Sequence, residues 1–208
     1  MHRAPELAAQ SVADSLRPLL RSRKARLTLG DLVTGVVGEG DGGLGPVLFV
    51  MILPVLLPLP PGVSMVLALP LLVVAPQIVA GRQRLWLPKM LARWSLKRTT
   101  LVKQLRRILP LTERIETVAR PRLTFLTDAI GVRLVGLACT LIALVLILPI
   151  PFANLLPALA LGAFSLGLTR KDGLLVLAGY GLLAAAAAVI ALEVHGFVLA
   201  VRYLRAIF

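Results

Sequence analysis

Charge is scarce in this chain: Asp, Glu, Lys and Arg make up only 16% of its 208 residues, against about 25% in an average soluble domain. Hydrophobic residues reach 58%. A soluble fold of this size leaves much of its surface in water, so this composition excludes an ordinary water-soluble domain and points to a bilayer as solvent. Cysteine is almost missing. The single Cys139 sits inside an apolar run, which rules out a disulfide framework or a thiolate cluster and reads as small apolar packing. Of two histidines, His2 is near the start and His195 stands alone after an apolar run, so no metal is expected. Gly38-Glu39-Gly40-Asp41-Gly42-Gly43 lacks the lysine of a phosphate loop and reads as a flexible turn. No nucleophile, base or ligand set stands out. The sequence therefore offers no catalytic residue, no cofactor is expected, and an enzyme is the least favoured class.

The charge that is present sits in blocks. Residues 1–27 carry six basic and two acidic groups, and residues 28–81 carry three acidic and no basic ones. Residues 82–133 carry thirteen basic and three acidic groups, and the remainder four and two. A soluble nucleic-acid binder has no need to separate its charge this way. Basic blocks beside apolar stretches are expected on the cytoplasmic side of a membrane, where they meet anionic lipid. Residues 1–27 lack the apolar core of a signal peptide and read as a cytoplasmic amphipathic helix or a partly ordered tail.

Two long stretches, Gly42–Gly81 and Leu134–Thr169, contain no charged residue. A spanning helix needs about 20 apolar residues, so each stretch is too long for one crossing and suits two short ones. Within the first lies Leu57-Pro58-Leu59-Pro60-Pro61-Gly62, and within the second Leu148-Pro149-Ile150-Pro151. Proline removes a backbone donor and pushes its predecessor out of the helical region, so each Pro-x-Pro ends a helix. The spacing predicts two hairpins, with arms Leu44–Leu57 and Val63–Ala80, then Ala129–Leu148 and Ala153–Leu168. The first arm is short enough that a re-entrant hairpin is as acceptable as two full crossings. Between the hairpins, Leu85–Leu109 reads as a basic helix with interleaved apolar residues. Trp86, Lys89, Arg93 and Trp94 are its expected lipid-interface anchors; packing on the protein's own cytoplasmic face is the alternative. Leu174–Leu192 is a further uncharged run expected to span, and Val194–Phe208 a short amphipathic tail.

The two hairpins resemble each other. Leu57-Pro58-Leu59-Pro60 matches Leu148-Pro149-Ile150-Pro151, and with one gap Ser64 falls opposite Asn154 and Ala68-Leu69 opposite Ala158-Leu159. Basic residues close both on one face, which favours a parallel repeat. Ser64 and Asn154 begin the returning arms, where they either cap those helices or face a shared polar site at the positive helix ends. Arg82, Arg84, Arg170 and Asp172 mark the hairpin ends, as a charged cluster or as interfacial anchors.

At these residues the chain resembles the exopolysaccharide synthesis ExoD family of bacterial inner-membrane proteins. The resemblance rests on Leu57-Pro58-Leu59-Pro60-Pro61-Gly62-Val63-Ser64 and on Gly81-Arg82-Gln83-Arg84-Leu85-Trp86-Leu87-Pro88. It continues in the block from Leu148 to Ala158 and in Arg170-Lys171-Asp172-Gly173-Leu174. It runs from about Thr28 to Leu192, with one departure at Val55, where the family pattern has asparagine. It implies involvement in exopolysaccharide production at the inner membrane.

The expected fold is all-α: a polytopic integral membrane protein with two repeated Pro-x-Pro hairpins and one further transmembrane helix. Residues 28–192 form the membrane domain, with repeat 1 at about 43–84, the basic segment at 85–128, repeat 2 at about 129–172 and the extra span at 174–192. Two functions are carried forward: a non-enzymatic membrane factor in exopolysaccharide synthesis or export, and a small transporter or channel at the paired half-helix starts. The expected partners are membrane lipids with anionic headgroups, with the exopolysaccharide machinery and a homo-oligomer as further candidates, and no nucleic acid. The expected location is the bacterial inner membrane, multi-pass, with the N-terminus cytoplasmic.

Overall fold

A computed structural model describes residues 11–12, 16–17, 26–37, 43–53, 63–82, 85–148 and 154–207. Pro58, Pro60, Pro149, Pro151 and Arg84 lie outside the described residues, as does the side chain of Ser64.

Among the described residues the fold is all-α apart from one short two-stranded pairing and an isolated bridge between Arg122 and Asp172. Strand β1 (Arg26–Thr28) leads into helix α1 (Leu29–Val37). A reciprocal cap starts that helix: Asp31 accepts from the Thr28 amide at 2.9 Å and donates its own amide to Thr28 Oγ1 at 3.0 Å. Next come α2 (Leu44–Ile52) and α3 (Val63–Val79), then the single turn α4 (Lys89–Ala92). Strand β2 (Ser95–Lys97) pairs antiparallel with β1, Leu96 opposite Leu27, and opens α5 (Arg98–Val118). The expected single helix over Leu85–Leu109 is thus broken. Pro88, which has no backbone donor, stands just before α4, and Ser95–Lys97 turn extended to pair with β1.

A 3-10 turn at Thr124–Leu126 precedes α6 (Ala129–Ile147), which Asp128 caps by accepting from the Ile130 and Gly131 amides at 3.0 and 2.8 Å. Helix α7 (Leu155–Arg170) follows, and α8 (Gly173–Ile207) closes the described chain. At 35 residues, α8 is about 52 Å long at 1.5 Å per residue. It absorbs both the expected span and the expected tail in one helix, since no proline or capping break separates them.

Packing is crossed. The two arms of each uncharged stretch touch little; instead α2 packs along α7, and α3 along α6, with α8 on the outer side of α7. Two glycines let the crossed pairs close. A Cβ on Gly45 would lie 2.1 Å from Thr169 Oγ1, and one on Gly136 would lie 2.8 Å from the Val79 amide nitrogen. Ser165, wholly buried, donates to the Gly45 carbonyl at 2.7 Å. Every residue of α2 from Gly45 to Ile52 is buried, as expected of a helix apolar on all sides. The core joins α2, α3, α6 and α7 through Leu48, Met51, Leu71, Ile78, Ile142 and Phe164. Phe164 also meets Tyr180 of α8 edge-on, ring centroids 4.9 Å apart.

Candidate functional site

Among the described residues, many of the charged ones gather at one end of the helix bundle, where α7 ends and α6 and α8 begin. Lys171 caps α7 in the left-handed region (φ 52°), and the Asp172 amide reaches back to the Gly167 carbonyl at 2.9 Å. At the end of α3, Gly81 (φ 72°) makes the same turn, with the Arg82 amide on the Gln77 carbonyl at 3.0 Å. Arg82 itself is exposed.

Arg170 and Asp172 do form ion pairs, but with residues of the intervening segment rather than as one cluster. The Arg170 guanidinium donates to Glu116 Oε2 at 3.3 Å. Glu116, almost fully buried, also accepts from the Val12 amide at 2.7 Å and from the Ser11 hydroxyl. One carboxylate thereby joins the N-terminal segment, α5 and the end of α7. Asp172 is fully buried and takes the Arg122 Nε on both oxygens, the Arg120 amide at 3.1 Å and the Leu174 amide at 2.9 Å. Burial alone would raise its pKa, but the hydrogen bonds from Arg122, Arg120 and Leu174 outweigh it and hold the carboxyl below its usual range.

Trp86 is 62% exposed and held in place by Gln77. The Gln77 amide donates to the Trp86 carbonyl at 2.7 Å and accepts from the Trp86 amide at 2.8 Å. Lys89 and Arg93 are also exposed, while Trp94 is half-buried and its carbonyl accepts from the Leu29 amide. Asn154 does not cap α7: its backbone is already helical and its side chain makes no capping bond. Its Oδ1 is enclosed and has no hydrogen-bond partner.

Glu116 and Arg122, the partners of Arg170 and Asp172, are not marked by any sequence motif. A signal for Glu116 existed. Leu101, Leu105, Thr112 and Glu116 are the buried residues of α5, and their spacing puts an acid on the apolar face of an otherwise basic helix. Among the described residues no group of three His, Cys, Asp or Glu side chains could hold a metal ion.

The family profile described as "Exopolysaccharide synthesis, ExoD" matches residues 12–192. The chain belongs to the ExoD family. It is 33% identical over 182 residues to Protein ExoD of Rhizobium meliloti, covering 85% of this chain and 74% of that protein. It is 35% identical over 137 residues to an uncharacterized protein of Synechocystis sp., covering 65% of each; the match thus spans just under two thirds of that relative. No solved structure matches. The ExoD match takes in both uncharged stretches and the Glu116 and Asp172 junctions. Two of the chain's helices, α6 and α8, are long and apolar enough to cross a membrane.

Proposed function

We propose that this ExoD-family chain is a polytopic inner-membrane factor for exopolysaccharide synthesis or export, acting by binding lipid or other components rather than by catalysis. The observation that carries the membrane part is the outward face of α6 and α8. Leu134, Leu137, Leu141, Leu144 and Leu148 are each about half exposed along α6, and only 17% of the most apolar part of α8 is buried. Such a surface is unfavourable in water at about 25 cal/mol per Å² and at ease in hydrocarbon. The role in exopolysaccharide production rests on family membership and on the description of the Rhizobium relative.

The basic end, with Trp86, Lys89 and Arg93 outward, is the cytoplasmic face and meets anionic headgroups. The repeat is supported by equivalent contacts. In the register that pairs Leu57 with Leu148, Gly45 falls opposite Gly136, the two glycines at the helix crossings. In the register that pairs Ser64 with Asn154, Gly81 falls opposite Lys171, and Val79 opposite Thr169. These are the two left-handed caps and the two residues those glycines approach. Both copies close at the same end, which favours a parallel repeat. Helix α2, nine residues long, rises only about 14 Å, which suits a re-entrant first arm in a core about 30 Å thick.

A second reading, a small transporter or channel at the half-helix starts, draws on the unpartnered Oδ1 of Asn154. One set of measurements separates the two. In a polysaccharide-producing host that depends on this chain, reversing Lys89 and Arg93 to Glu should lower polymer yield, while Asn154→Leu leaves it unchanged. Purified protein in liposomes should move no ion. Flux abolished by Asn154→Leu would overturn the binding reading in favour of transport, and yield indifferent to both changes would sink both.

A further inference from the structure

Beyond membrane residence, two helices offer a ruler for where the bilayer lies. The turn at Thr124–Leu126 abuts the start of both. A Cβ on Gly131 would lie 2.2 Å from the Leu126 carbonyl oxygen, and one on Gly173 would lie 2.3 Å from that of Leu123. So α6 and α8 begin at one level, and at that level Arg120, Arg122 and Lys171 are exposed.

From there each helix carries an apolar face that nothing in the described chain covers. On α6 it runs through Leu134, Leu137, Leu141, Leu144 and Leu148, a rise of about 21 Å at 1.5 Å per residue, with Ile130 and the exposed Arg133 in the turn before it. On α8 an uncharged part runs from Leu174 to Leu192, about 27 Å, and exposed apolar residues continue past Glu193 through Val194, Phe197, Val198 and Leu199. Two separate apolar faces starting near one level suit a single slab of hydrocarbon about 30 Å thick, which the 35-residue α8 is long enough to cross and leave. Cations end it on the first side, and on the second the next residue of α8 is Glu193, with Arg202 and Arg205 beyond. A second copy of the chain would account for one covered face, not for two on separate helices.

Resting on the membrane reading above, we propose that the faces Leu134–Leu148 and Leu174–Leu192 are lipid-covered, and that α8 therefore carries Tyr203 out on the side opposite the basic segment. The path requires it. Gly81 and the Arg133 guanidinium beside it lie at the end of α3 near the start of α6, α7 returns to the basic end, and α8 leaves that end without a break. The fifteen residues after Leu192 continue helical to Ile207 and rise about 22 Å further, with Phe197 and Tyr203 exposed.

The test uses the full chain with Cys139→Ala as background. Lys171→Cys, Arg120→Cys and Tyr203→Cys are each treated with a membrane-impermeant maleimide, on spheroplasts and on inverted vesicles. Tyr203→Cys should label only on spheroplasts, and the other two only on inverted vesicles. Labelling of Lys171→Cys and Tyr203→Cys from the same side, in protein that survives an alkaline carbonate wash in the membrane, overturns this inference and leaves membrane residence intact. Release by the wash overturns residence itself. A nitroxide on Leu141→Cys should collide with oxygen and lose contact with a water-soluble nickel chelate; contact with the chelate, or dipolar broadening from a second copy, overturns the lipid-covered face.

Discussion

The Arg122 guanidinium places its Nε between both oxygens of the buried Asp172 carboxylate, at 3.1 and 3.2 Å. Arg122 remains nearly half exposed, so solvent weakens the charge term, and the backbone amides of Arg120 and Leu174 matter as much. The four bonds tie the loop after α5 to the first turn of α8.

Asp172→Ala removes the acceptor for all of them. Hydrogen bonds to a charged group contribute about 1.5–3 kcal/mol each when buried; allowing for the exposed arginine, the expected loss is about 2–3 kcal/mol. A thermal-unfolding scan in detergent should show it, with Asp172→Asn losing less because the amide oxygen still accepts. An unchanged midpoint for Asp172→Ala would remove this junction from the stability argument.

The same carboxylate gives a pH dependence. Its folded pKa is lowered, so its contribution is fully present above the unfolded value of about 3.9 and is lost as pH falls through the lower folded value. Acid should therefore loosen the wild-type junction below that unfolded value, while Asp172→Asn flattens the acid limb of a stability-versus-pH curve. A limb of the same steepness in both proteins would assign it to other carboxylates.

Glu116 holds the N-terminal segment through the Val12 amide and the Ser11 hydroxyl. Glu116→Ala should expose the region around Ser11 to protease, raising the cleavage rate there while the bundle stays resistant. Glu116→Gln, which keeps an acceptor for the Val12 amide, should fall between. Equal cleavage in all three proteins would mean that Val12 and Leu16, both fully buried, hold the segment without it.

Gly45→Ala and Gly136→Ala should each destabilise by about 1–3 kcal/mol, because the added methyl has to push apart packed helices. Gly162 and Gly181 lie in helices with nothing within 4 Å of an added Cβ, so Gly162→Ala and Gly181→Ala should be neutral or stabilise by up to about 1 kcal/mol. Thermal midpoints of the four proteins check both signs at once. Tolerance of alanine at Gly45 would contradict the close α2–α7 crossing.

Gln77→Leu should release Trp86 without unfolding the bundle, since it deletes the two hydrogen bonds to Trp86 and one to the Val73 carbonyl, each worth about 1 kcal/mol. With Trp94→Phe in the background, Trp86 is the one fluorophore of its kind. Its emission should broaden and its anisotropy fall; an unaltered signal would show that Leu85 and Leu87 set the segment without Gln77.

The starts of α2, α3 and α6 agree with the expected arms, because the limits of an uncharged apolar run and helix-breaking residues act through near neighbours in the chain; the tips themselves lie outside the described residues. The expected Leu85–Leu109 helix is broken for the opposite reason. Its break at Ser95–Lys97 depends on pairing with Arg26–Thr28, some seventy residues earlier, and no local propensity encodes that partner. Asn154 was read as a cap or a site from its position alone, whereas its side chain makes no capping bond.

Arg170 and Asp172 carry the same lesson. Their place at the end of an uncharged run was plain from composition, but Glu116 and Arg122 as their partners were not. By itself the sequence determined where α2, α3 and α6 begin, since those starts depend on φ restriction, lost amide donors and apolar run length within a few residues. Only the tertiary structure decided that α2 lies on α7 and α3 on α6, and that α8 runs on past Leu192. Those outcomes depend on the close approach at Gly45 and Gly136 and on which buried carboxylate meets which cation, contacts between residues far apart in the chain.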